Sequence, residues 1–67
     1  MSGVMERTLA LLERLATDVG GVPLGTLADE LDIPRSAAHR LLTDLTAQGY
    51  VRQSRERGLY MLTTKLV

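Results

Sequence analysis

The side chains of this sequence that could bind or react are mostly hydrogen-bond donors. Arg35, Ser36, His39, Arg40 and Thr43 stand close together, and a second group, Arg52, Arg55 and Arg57, follows shortly after. Arginine presents its N–H donors in a planar fork and has no acceptor, so it matches the oxygens of a phosphate or the O6 and N7 of a guanine. Hydroxyl and imidazole groups add single donors to the set. Such a constellation suits recognition of an acceptor-rich, anionic partner. Catalysis lacks its parts: there is no cysteine nucleophile, no histidine and carboxylate at useful spacing, and no glycine-rich phosphate loop after a strand. A chain of 67 residues also has little room for a substrate cavity. His39 is the single histidine and has no Cys, Glu or second His at ligand spacing, so neither a metal nor another cofactor is expected.

Eight basic and eight acidic side chains cancel over the whole chain but not locally. Residues 1–32 hold Arg7 and Arg14 against six carboxylates, a net −4, and residues 33–67 hold six basic groups against Asp44 and Glu56, a net +4. An anionic partner is drawn to the second half and repelled by the first, which orients an encounter without overall basicity. With 45% apolar and 24% charged residues the composition is that of one small globular domain, and its core must be aliphatic because Phe and Trp are absent. A chain this short buries only about 60% of its unfolded surface, and without cysteine no disulfide or thiolate site can assist it. No apolar run is long enough for a membrane span or a signal-peptide segment, so a cytoplasmic location is expected.

The donors need elements to hold them. Between residues 4 and 19 the apolar positions Val4, Met5, Leu9, Leu11, Leu12, Leu15, Ala16 and Val19 recur at helical spacing, giving a first helix. Its apolar arc spans about 160°, wider than the roughly 100° that one core stripe takes. Met5, Leu9 and Ala16 on the edge are therefore candidates for contact with another molecule, unless so small a core needs them itself. Gly20 and Gly21 are expected to end this helix in the left-handed conformation. An extended piece at Val22, Pro23 and Leu24 leads to a two-turn helix over 25–31, with Leu24, Leu27, Ala28 and Leu31 inward. Asp32, Ile33 and Pro34 form a tight connection, and Pro34 opens a third helix that runs to Gln48 with Gly49 as its cap. Residues 50–54 and 59–62 read as a hairpin with a charged tip, Val51, Tyr60 and Leu62 pointing inward. From Thr63 onward no partner within the chain is expected.

The fold class is thus mainly α with a small β-hairpin: a three-helix bundle plus wing, or winged helix-turn-helix. On the third helix Ala38, Leu41, Leu42 and Leu45 make an anchoring face about 100° wide. Ser36, His39, Arg40 and Thr43 lie opposite, with Arg35 at the border, and the helix dipole favours phosphate at this N-terminal end. Arg35, Ser36, Ala38, His39, Arg40 and Thr43 are the expected DNA-contacting residues of the helix; Arg52, Arg55 and Arg57 are those of the wing, on the backbone or in a minor groove. Ser36 has the alternative of capping its own helix, and the wing tip that of a solubilising turn.

The run Pro34-Arg35-Ser36-Ala37-Ala38-His39-Arg40-Leu41-Leu42, with Leu27-Ala28 before it and Gln48-Gly49-Tyr50-Val51 and Gly58-Leu59-Tyr60-Met61-Leu62 after it, resembles the N-terminal domain of IclR-family transcriptional regulators. The likeness extends from Val4 to Leu66. It implies sequence-specific binding of double-stranded DNA, dimerisation helped by the first helix and the linker, and a separate C-terminal domain that binds a small effector. Residues 1–62 would then be the DNA-binding domain and 63–67 the start of the linker. Ala37 stands where the family commonly has a threonine, and Thr63 where a glycine is usual after the second wing strand. A homodimer on a roughly palindromic operator is expected, because one small module buries too little surface to be specific alone. The rival is a winged helix that binds protein without DNA, which fits the wide apolar side of the first helix but leaves the gathered basic residues unexplained.

Overall fold

The computed structural model describes residues 3–64. Three helices, α1 (Val4–Ala16), α2 (Leu24–Leu31) and α3 (Arg35–Ala47), are followed by the strands β1 (Val51–Gln53) and β2 (Tyr60–Leu62). The strands pair antiparallel with Val51 opposite Leu62, Arg52 opposite Met61 and Gln53 opposite Tyr60. This is the winged helix-turn-helix expected from the residue pattern. No described helix is long and apolar enough to cross a membrane.

One or two large apolar residues from each element reach the centre. Leu11 and Leu15 from α1, Leu27 from α2, Leu42 from α3, Val51 from β1 and Tyr60 from β2 form a single core with Val22, and Leu12, Leu24, Leu31, Leu41, Leu45 and Leu62 pack around it. α1 rests on α2 and β2, α2 on α3, and α3 on β1, so α2 and β1 brace the helix that carries the donors and α1 and β2 back them from behind.

The first helix is shorter than its apolar period. It stops at Ala16: the Thr17 hydroxyl donates to the Arg14 carbonyl at 2.8 Å, and the Thr17 and Asp18 amides donate three residues back, to Arg14 and Leu15. Short polar side chains that bond their own backbone compete with helix propagation in this way. Val19, expected on the apolar face, is left in the turn and is 90% exposed. Val4 also lies outward, at the free end of the helix.

Gly21, not Gly20, takes the left-handed conformation, at φ 99°, and it does so in the turn rather than as a helix cap. The reason is tertiary. Val22 exchanges two backbone hydrogen bonds with Tyr60, at 2.8 and 2.9 Å, adding a one-residue third strand to the wing. A Cβ on Gly21 would stand 2.8 Å from the Cβ of Leu59, so this close pass needs glycine for space as well as for φ.

The helix-turn-helix corner is set by Asp32, which is left-handed at φ 54°, a conformation that aspartate tolerates better than most residues. The Ile33 amide reaches back to the Ala28 carbonyl at 3.0 Å in the six-to-one closure of a Schellman turn. Pro34 stands just before α3 with extended backbone, beside the first helical position as expected. Gly49, at φ 85°, ends α3, and the Tyr50 amide bonds the Leu45 carbonyl.

The expectation that Thr63 has no partner is corrected. Its amide donates to the Tyr50 carbonyl at 3.0 Å and its hydroxyl to the Gly49 carbonyl at 2.6 Å. Thr63 therefore closes the base of the wing onto the end of α3. Residues 65–67 of the expected linker lie outside the described residues.

Candidate nucleic-acid interface

Leucines decide which side of α3 is free. Leu42 and Ala38 are completely buried and Leu41 and Leu45 half-buried, and the opposite side carries Ser36, His39, Arg40 and Thr43, all exposed, with Arg35 beside them. Ala38 must therefore be removed from the expected contact set: with 0% exposure it anchors the helix, since its place on the leucine side outweighs its place within the donor run. Ser36 lies within the first turn of α3, and the residue before the helix, Pro34, has no side chain able to cap it. Hence the capping alternative for Ser36 is not realised.

The free side divides into two grooves. Towards α1, Ser36, Ala37, Arg40 and Asp44 face Arg7. Towards the wing, His39, Thr43 and Thr46 face Gln53 and the edge of Tyr60. Thr46 bonds its own helix, its hydroxyl donating to the Leu42 carbonyl at 2.7 Å, whereas the Thr43 hydroxyl has no such engagement among the described residues. Arg35 leans the third way, over Gly25 of α2.

Arg7 is a residue that sequence reasoning missed. It sits on the polar side of the α1 wheel and reads there as a solvated charge. In the fold it shares a groove with Ser36 and Arg40, and its Nε is buried with no hydrogen-bond partner among the described residues. The signal was in the sequence only as the offset of Arg7 from Leu11 by one helical turn, which puts it at the edge of the core face.

The wing gathers Arg52, Arg55 and Arg57 around one shallow depression with Ser54 and Leu59. Its tip is held by its own polar residues: the Ser54 hydroxyl accepts from the Leu59 amide at 3.1 Å, and the Gln53 side chain donates to the Gly58 carbonyl at 2.9 Å. Gln53 and Ser54 brace the tip and leave the arginines outward, another role that hydropathy patterning does not show.

Among the described residues Arg35, Arg40, Arg52, Arg55 and Arg57 have no ion-pair or hydrogen-bond partner. Arg14 is the contrast. Its Nε donates to the Glu30 carboxylate at 2.6 Å and a second nitrogen lies 3.9 Å from Asp18. The hydrogen bond to Glu30 raises the Arg14 pKa above that of an ordinary arginine against the opposing effect of desolvation. Arg14 is thus neutralised by its neighbours, while Arg7 and the cations of α3 and the wing remain available.

The family profile of the IclR helix-turn-helix domain matches residues 4–55. This chain belongs to that family. Over 54 residues the domain is 46% identical to the transcriptional repressor IclR of Escherichia coli K12, a match covering 81% of this chain and 20% of that protein. It spans about a fifth of the length of such curated relatives. Among solved structures it is similar to HmgR of Pseudomonas aeruginosa, with a TM-score of 0.81 and 29% identity over 92% of this chain and 26% of that one. It is equally close in shape to the Zalpha domain of Cyprinid herpesvirus 3 ORF112 described with Z-DNA, with a TM-score of 0.80 and 26% identity over 92% and 100% of the two chains. The IclR-type domain is a helix-turn-helix DNA-binding domain of the transcription-regulator kind, not an enzyme.

Proposed function

We propose that this IclR-type domain binds double-stranded DNA sequence-specifically, with α3 in the major groove and the wing on the backbone or in the adjacent minor groove. The observation that carries this reading is the division of α3 into a clamped leucine side and a free donor side. Arg35, Ser36, His39, Arg40 and Thr43 read or position from the helix, and Arg52, Arg55 and Arg57 hold phosphates or a narrow minor groove from the wing. Arg7 joins Arg40 as a backbone contact from α1, since the two arginines line one groove beside Ser36 and a phosphate there meets both side chains.

Dimerisation is the second part of the reading. Met5 and Leu9 are 72% and 51% exposed, Ala16 is exposed and Leu12 half-buried. Residues 5, 9, 12 and 16 follow the alternating spacing of four and three that suits a helix–helix seam. A second copy of α1 laid along this stripe gives a homodimer whose two α3 helices address half-sites about one helical turn apart or a multiple of it, so the operator is roughly palindromic. A small effector would act through a C-terminal domain beyond this sequence, and the regulator works in the cytoplasm.

Sites selected from random duplex DNA, followed by affinity at a series of salt concentrations, test the reading. The logarithm of affinity should fall linearly with that of salt, by nearly one unit of slope for each phosphate neutralised. Absent or salt-independent binding would instead favour the rival, a module that docks only on protein.

A further inference from the structure

We propose that Gly25 is a positioning residue for the DNA contact: the side chain missing from this place on α2 is the seat on which the Arg35 guanidinium rests. Gly25 is the second residue of α2, and its backbone is not left-handed, so the conformation does not ask for glycine. A glycine inside a helix costs stability relative to alanine, which makes its presence here something to explain. The surroundings explain it. Where a Cβ would stand, the three nearest heavy atoms all belong to Arg35: Nη2 at 3.1 Å, Cζ at 3.4 Å and Nε at 3.7 Å. A methyl group would push the guanidinium by a few tenths of an ångström, and a longer side chain would evict it.

The seat matters because Arg35 is the first residue of α3, at the end of the helix that faces the partner, and its donors have no other engagement among the described residues. A free arginine samples many rotamers, and binding must freeze them. Held against Gly25, the side chain is already confined, with its fork carried on two helices instead of one. Preorganisation of this kind lowers the ordering cost of the contact. Gly25 touches no DNA in this scheme and acts through Arg35 alone.

The inference rests on the DNA-binding reading, and its test separates the two. Gly25→Ala and Gly25→Gln are compared with the wild-type full chain for thermal stability, for affinity to a duplex selected by the wild type, and for the NMR relaxation of the Arg35 Nε–Hε group. The expected result is unchanged or higher stability, and a graded loss of affinity reaching roughly two- to tenfold for Gln. The Arg35 signal should lose its restriction and relax like that of Arg55. In an Arg35→Ala background Gly25→Gln should have no further effect on affinity. An equal loss in that background, tighter binding, or an Arg35 signal as mobile in the wild type as in Gly25→Gln overturns the proposal. If the wild type selects no duplex, the DNA reading fails while the relaxation data still decide whether the seat exists.

Discussion

Arg40 and Arg14 have the same side chain and opposite fates, and the difference lies in what surrounds them. Arg14 points at Glu30 and Asp18 and is engaged; Arg40 points into a groove with Arg7 and Ser36 and is not. Removing Arg40 should therefore cost binding and not folding: Arg40→Ala is expected to weaken DNA affinity by about 1–3 kcal/mol with an unaltered melting temperature, measured by fluorescence anisotropy beside thermal denaturation. Thr63 is the opposite case, a residue whose value is structural. Thr63→Val deletes the hydroxyl that bonds the Gly49 carbonyl and should lower unfolding free energy by about 0.5–1.5 kcal/mol in urea titrations, with little change in DNA affinity. Composition and spacing singled out Arg40 but could not single out Thr63, because the partner of Thr63 is distant in the chain and is a backbone atom.

Among elements, α3 was the most legible. Its leucine period, the proline before it and the glycine after it fix its ends and its buried side without help from the rest of the chain. Burial within that side was not legible: Leu42 is fully enclosed, whereas Leu41 and Leu45 flank the core. Leu42→Ala is accordingly expected to destabilise by about 2–5 kcal/mol, and Leu45→Ala by clearly less, since the cost of truncation grows with the cavity left behind. Denaturant titration of the two variants checks the order. α1 was misread at its end, because an apolar period through Val19 looks continuous while Thr17 and Asp18 turn the chain to deliver Val22 to Tyr60. The hairpin was read correctly as two strands, but the single Val22 bridge that ties it to the helices carries no periodic signal.

Seen whole, the domain has two surfaces that its own core leaves largely free. One is the cationic side of α3 and the wing; the other is the apolar stripe of Met5, Leu9 and Ala16 on α1, continued by the half-buried Leu12. If the stripe joins two copies, Met5→Glu with Leu9→Glu should convert a dimer to a monomer in analytical ultracentrifugation while each copy stays folded, and operator affinity should fall because the half-sites are no longer read together. A dimer that persists in the double variant would place the subunit contact elsewhere. Residue types and local periods were enough to determine three helices, a hairpin, the polarity of charge along the chain and the donor side of α3, because each of these is written in neighbours a few positions apart. Only the tertiary structure decided that Ala38 serves the core alone and not also the contact surface, that Arg7 shares a groove with Arg40, that Gly25 lies under Arg35 and that Thr63 locks the wing. Each of those depends on which distant segments meet, and packing of the whole chain, not local spacing, settles that.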